Sequence, residues 1–212
     1  MASPTEANFH AVKRILHYIF GILSHGLQLQ AHGSLDLYAY SDADWAGCPL
    51  TRRSTSGFCT FLGPNCLSWS AKKQPIVAKS STEAKYRSIA SALVELTWLG
   101  FVLRDIGLTL AKPPTLHCDN LSSLYLTVNP VFHGRSKHIA VDYHYVREKV
   151  ALGALVTQFV SSSNQLADIF TKPLSREAFT TLSIKLGLTP WPSLRGSIRT
   201  NKEGTKNQEL IA

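Results

Sequence analysis

The chain has 212 residues, 44% of them apolar and 9% aromatic, enough for one well-buried domain with appendages and ordinary for a soluble globular protein. Its formal net charge of +8 and pI near 9.4 point to an anionic partner, with nucleic acid the natural candidate, and Arg52, Arg53, Lys72, Lys73, Lys79, Lys85 and Arg87 concentrate the charge in one third of the chain. Four cysteines without C-x-x-C pairing exclude a zinc module and read as reduced thiols. The apolar run from Ile15 to Leu29, broken by His17, Gly21, His25 and Gly26, is too short to cross a bilayer, and Met1 opens no signal peptide. An intracellular protein without a membrane partner is expected, cytoplasm and nucleus being indistinguishable.

Residues 8–23 have helical spacing, with Val12, Ile15, Leu16, Ile19 and Leu23 in one stripe. "LDLYAYSD", from Leu35 to Asp42, predicts the first strand of the main domain. "STSGFCTFLG" and "NCLSWSA" predict two more, joined at Gly63-Pro64-Asn65 as a hairpin, so the three form an antiparallel meander. Ser80 to Asp105 reads as a long helix ended by Gly107. "TLHCD" follows Pro113-Pro114 as a short strand, Asn120 to Thr127 as a short helix, His138 to Leu152 as another, and "ALVTQFV" as the fifth strand. Asn164 to Lys172 and Arg176 to Leu186 are the last predicted helices. This order implies a mixed five-stranded α/β sheet flanked by helices, with parallel later crossovers. Beyond Pro190 the chain is polar and aperiodic, and a disordered tail over 189–212 is expected.

Four carboxylates fall where such a sheet gathers its strand ends: Asp42, Glu83, Asp119 and Asp168. Carboxylates at one point repel unless cations neutralise them, and oxygen ligation suits magnesium or manganese. Two such ions about 4 Å apart clamp the oxygens of a phosphodiester, so its hydrolysis is the reaction class suggested. Each residue has a plainer role open to it: Asp42 as a turn residue beside Asp44, Asp119 as an N-cap, Asp168 as an i,i+4 partner of Lys172, and Glu83 in a capping box Ser80-x-x-Glu83.

"YSDADWAGCPLTRRSTSGFCTFLG", "LSWSAKKQ", "SSTEAKYRSIASALVELTWL", "LHCDNLSSLYL", "GRSKHIAVDYHYVRE" and "NQLADIFTKPL" together resemble the ribonuclease H domain at the end of the Pol polyprotein of copia-type retrotransposons, particularly plant ones. The resemblance spans residues 34–188. Residues 1–33 resemble the last helix of the preceding reverse transcriptase, and with no Y-x-D-D motif present the chain reads as beginning inside a lost polymerase. What the resemblance implies is a ribonuclease H-like fold with sheet order 3-2-1-4-5, cleavage of the RNA strand of an RNA:DNA hybrid, two magnesium ions (or manganese), and origin beside a reverse transcriptase. Asp42 would bridge both metals, rather than Asp44, Asp119 would bind on the attacking side, Asp168 would complete the second site, and Glu83 would supply the glutamate. Arg52, Arg53, Lys72, Lys73, Arg135 and Lys137 would contact the hybrid, with His138, His144 and Arg147 in the same basic motif; no histidine shortly precedes Asp168 as it does in cellular enzymes.

One stretch departs from the family. Copia-type domains commonly read E-A-E-Y where this chain reads Glu83-Ala84-Lys85-Tyr86. The residue pattern after the metal-binding glutamate of relatives fits a start at 85, with Tyr86, Arg87, Ser88 and Ile89 following, better than a start at 83. At about 100° per residue, position 85 lies about 40° from Ile89 and close to Leu93, Leu96 and Leu103, while Glu83 lies about 120° away. Lys85 thus takes the ligand position in this register, where an ammonium would repel magnesium and fill its place. Leu50 also stands where the family more usually has an acidic residue. Three readings stay open: an active ribonuclease H served by Glu83, a copy that keeps the fold and hybrid binding without the chemistry, and a recruited nucleic-acid-binding module.

Overall fold

The computed structural model describes Ser3 and residues 5–129 and 140–190; the expected tail beyond Pro190 lies outside them. The chain divides into two units, one holding residues 1–24 and 190–212, the other His25–Thr189. In the first, α1 (Glu6–Ile22) is capped by Thr5, whose hydroxyl accepts from the Asn8 N–H at 3.3 Å, and none of its residues is buried.

The second unit is built on five strands: β2 (Leu37–Ala43), β3 (Thr55–Leu62), β4 (Asn65–Lys73), β5 (Thr115–Cys118) and β6 (Val156–Phe159). Their order is β4-β3-β2-β5-β6, antiparallel across β4, β3 and β2 and parallel from β2 through β5 to β6. Counted from β2, this is the 3-2-1-4-5 order expected of a ribonuclease H-like fold. A separate two-stranded sheet pairs β1 (His25–Leu27), grouped from sequence with the leading segment, with β7 (Leu188–Pro190).

β3 is buried from Ser56 to Phe61 because helices cover both faces of the sheet. On one side lies α2 (Ser81–Asp105), with α4 (Ala140–Ala151) beside it. Tyr86, Ile89, Leu93, Leu96 and Leu103 of α2 pack with Leu37, Ala39, Phe58 and Leu116 of the sheet and with Tyr143 and Val146 of α4. On the other side Leu166, Leu182 and Leu186 pack against Cys59, Phe61 and Cys66. The sequence gives α2 two apolar stripes, and only one turns inward: Val94, Trp98 and Phe101 are 57%, 56% and 50% exposed. By length and composition α2 is long and apolar enough to cross a membrane, but half of its most apolar stretch is buried inside the molecule, as in a core helix.

One element is shorter than its pattern. The helix predicted over Asn164–Lys172 is a single 3-10 turn (Ser162–Asn164) followed by α5 (Asp168–Thr171). The fully buried Gln165 breaks it: its amide donates to the Ser41 carbonyl at 3.1 Å and its Oε1 accepts from the Ala167 N–H at 3.2 Å, so one bond ties the segment to β2 and the other takes a backbone donor by a side-chain route. α3 (Leu121–Val128) and α6 (Arg176–Lys185) lie close to their predicted places.

Candidate active site

β2 and β5 are parallel neighbours, so their carboxyl ends lie side by side. Asp42, the sixth residue of β2, and Asp119, directly after β5, project there, and Asp168 opens α5, which packs across β3 and β2. Ligand oxygens of Asp42, Asp119 and Asp168 all fall within 4.8 Å of one another. Asp119 is released from capping because Asn120 caps α3, accepting from the Ser123 N–H at 2.8 Å.

Two lysines are threaded between these carboxylates. Lys85 Nζ stands 2.7 Å from Asp42 Oδ1, off the direction of a well-formed hydrogen bond, and 2.5 Å from Asp119 Oδ1. Lys172 Nζ stands 2.7 Å from Asp168 Oδ1 and 3.6 Å from Asp42 Oδ2. Thr171 donates its hydroxyl to Asp42 Oδ2 at 2.5 Å, and Ser162 donates to Asp119 Oδ2 at 3.4 Å. The Lys172–Asp168 pair is the i,i+4 pairing read from sequence; Thr171, three residues after Asp168, is the member that sequence reading missed, its signal being only its place on the same helical turn.

Glu83 is not brought to the cluster. Its backbone N–H donates to the Ser80 hydroxyl at 3.1 Å, its Oε2 accepts from the Lys79 N–H at 2.9 Å, and its Oε1 pairs with Arg87 at 3.1 Å. The helix phase explains the difference. Lys85 shares the inward face with Ile89 and Leu93, whereas Glu83 turns to Arg87, four residues on.

The charges respond to this packing. Burial alone would raise the Asp42 carboxyl, but Lys85 and Thr171 outweigh it and hold the group below its ordinary 3.8. Asp168 is raised, burial exceeding the help of Lys172. Burial would lower Lys85, yet Asp119 and Asp42 more than reverse it, so the ammonium stays protonated. A depressed folded-state carboxyl contributes stability that is complete above its unfolded value and lost as pH falls through the folded one. The urea midpoint is therefore expected to fall as pH drops below about 4, less steeply than Asp42 alone dictates because Asp168 titrates in the opposite sense. A midpoint that rises on acidification through this range would refute the ion-pair assignment.

These residues do not fit a pair of metal ions. Three carboxylates would suit magnesium or manganese, but the Asp42–Asp119 side is filled by an ammonium whose side chain is 13% exposed. The Asp42–Asp168 side is likewise occupied by an ammonium, Lys172 Nζ standing 2.7 Å from Asp168 Oδ1 and 3.6 Å from Asp42 Oδ2, on a side chain 36% exposed.

The predicted nucleic-acid contacts flank the same end of the sheet. Ala43 pairs with Ser56 and Ser56 with Lys72, while Thr55 pairs with Lys73, placing both lysines two strands from the cluster. Arg52 is exposed, and Arg53 donates to the Pro75 carbonyl at 3.3 Å. Arg135, Lys137 and His138 lie outside the described residues; His144 is exposed on α4 and Arg147 is half-buried. No disulfide forms among the cysteines: Cys59, Cys66 and Cys118 are buried thiols, and Cys48 lies half-exposed 3.1 Å from Lys73 Nζ.

No protein-family model matches the chain. It is 49% identical over 192 residues to the retrovirus-related Pol polyprotein from transposon RE1 of Arabidopsis thaliana, across 91% of this chain and 13% of that protein. To the corresponding polyprotein from transposon RE2 of the same plant it is 48% identical over 198 residues, across 93% and 14%. The chain thus spans about a seventh or less of the length of these relatives. Among solved structures, LC11-RNase H1 in complex with an RNA/DNA hybrid aligns with a TM-score of 0.49 at 17% identity, covering 64% of this chain and 94% of that one.

Proposed function

The chain belongs to the retrovirus-related Pol polyproteins of copia-type transposons, and from that membership we propose that it is a ribonuclease H domain that holds an RNA:DNA hybrid with its hydrolytic step closed by Lys85. The carrying observation is the Lys85 ammonium, 2.7 Å from Asp42 and 2.5 Å from Asp119. Two bound metal ions would gather the attacking and leaving oxygens of a phosphodiester and stabilise the charge that develops there. An ammonium offers a single charge and three donors, with no vacant coordination position for water. Lys85 therefore offsets part of the charge of Asp42 and Asp119 without activating a nucleophile.

The remaining charged groups stand around this pair. Asp168 stays beside Asp42, positioned by α5, and Lys172 balances both. Arg52, Arg53, Lys72 and Lys73 would take the hybrid's phosphates, leaving the scissile strand over the cluster. A reverse transcriptase of the same polyprotein is the partner that would deliver such hybrids. The competing reading, in which Glu83 supplies the missing ligand, requires it to leave Arg87 and the Lys79 N–H.

The test is cleavage of a labelled RNA:DNA hybrid in magnesium by wild type, Lys85→Glu and Glu83→Ala, with binding measured in EDTA. Wild type is expected to bind in a salt-dependent manner without cutting, and Lys85→Glu to cut. Magnesium-dependent cleavage by wild type that disappears in Glu83→Ala would reinstate Glu83 as the ligand and remove the block assigned to Lys85.

A further inference from the structure

Trp45 stands three residues beyond the fully buried Asp42 and is 55% exposed. Its indole N–H donates to the Ala78 carbonyl at 3.1 Å, so its one polar group is engaged and the surface it presents is apolar. The loop that carries it is tied down on several sides. Ala46 N–H donates to Ser54 Oγ at 3.0 Å, the Gln74 N–H to the Ser54 carbonyl at 2.8 Å, and Arg53 to the Pro75 carbonyl at 3.3 Å. Ala46 itself holds φ 55°, a left-handed conformation that costs a non-glycine residue energy and that these bonds enforce. The ring is thus exposed and held in a fixed orientation, as a preorganised contact surface is.

Resting on the hybrid-binding reading above, we propose that Trp45 is a nonionic contact for the sugar wall of the bound RNA:DNA hybrid beside the acidic cluster. Charge complementarity selects this occupant: Arg52, Lys72 and Lys73 border the same end of the sheet and suit phosphates. Inside a duplex the bases are already stacked on one another, and an A-like minor groove is wide, shallow and lined with sugars, so a fixed indole meets ribose or deoxyribose rather than a free base. Phosphate contacts weaken as salt rises, through counterion release; an apolar contact does not. Trp45 then supplies the part of the affinity that survives salt.

The experiment is fluorescence anisotropy of an end-labelled RNA:DNA hybrid in EDTA, titrated with the full chain, Trp45→Ala and Trp45→Phe at several salt concentrations. Trp45→Ala is expected to weaken binding about tenfold at every salt concentration with an unchanged log–log salt slope, and Trp45→Phe to stay within about threefold of wild type, because the ring remains although the N–H is lost. Unaltered binding by Trp45→Ala overturns the proposal while leaving hybrid binding in place. So does a Trp45→Phe as weak as Trp45→Ala, which would make the Ala78 bond the important feature, or a changed salt slope. Self-association lost in Trp45→Ala with hybrid binding intact would assign the ring to a second copy instead. Absence of hybrid binding by wild type would remove this proposal and the function it rests on together.

Discussion

Lys85→Glu is expected to melt roughly 10 °C below wild type in EDTA and to recover much of that loss in millimolar magnesium, whereas wild type melts at the same temperature in both. Side-chain exposure is 0% for Asp42, 5% for Asp119 and 13% for Lys85, so the substitution leaves two buried carboxylates without their cation and adds a third beside them. Removing one partner of a buried ion pair costs about 3–5 kcal/mol, and a domain of this size loses about 2–4 °C per kcal/mol. A ligand at a hundred times its dissociation constant returns about 2.7 kcal/mol. Differential scanning calorimetry with and without the metal reads both quantities. An Lys85→Glu variant as stable as wild type in EDTA, or indifferent to magnesium, would show that the ammonium does not hold the carboxylates together. This readout is independent of cleavage, so it tests the site even where turnover is slow.

The second large effect lies at Gly57, on β3 opposite Asp42 of the central strand β2. A Cβ there would meet Thr171 Cγ2 at 2.7 Å and Phe170 Cβ at 2.8 Å, both on α5. β3 cannot retreat, being paired on both sides and bonded through the Gly57 carbonyl to the Ser88 hydroxyl at 3.1 Å. α5 must therefore move, drawing Thr171 from Asp42 and Asp168 out of the cluster. Gly57→Ala is expected to lower stability by ~1–3 kcal/mol, read as a lower urea midpoint at unchanged slope, and to abolish magnesium stabilisation when combined with Lys85→Glu. Gly100→Ala is the contrasting substitution: a Cβ there meets nothing within 4 Å on a helix, so it should raise stability by ~0.5–1 kcal/mol. A Gly57→Ala chain as stable as wild type would contradict the close approach of α5.

The strand order was legible in sequence because each element has a distinct signature: the Gly63-Pro64-Asn65 hairpin, the Pro113-Pro114 break before β5, and helical periods between the later strands. Asp42, Asp119 and Asp168 were legible because strand ends of such a sheet converge. The orientation of α2 was less so. Both of its stripes are apolar, so helix phase alone places Lys85 weakly; register against relatives favours the inward side, and packing against Phe58 and Leu116 turns Ile89 and Leu93 inward with Lys85. The exposed Trp98 and Phe101 show why composition could not choose. The break at Gln165 was hidden for a related reason, since a buried amide that bonds to Ser41, more than a hundred residues earlier in the chain, leaves no local trace.

The small pairing of β1 with β7 has a topological consequence. With the Gln28 N–H donating to the Gly187 carbonyl at 2.9 Å, the entry and exit of the five-stranded unit lie side by side. A unit whose ends meet can sit within a longer chain as a bead on a loop, imposing almost no distance on what precedes and follows it. Cutting or joining the chain at those ends is expected to leave the sheet and its carboxylates undisturbed, which the urea midpoint of a circular permutant would check.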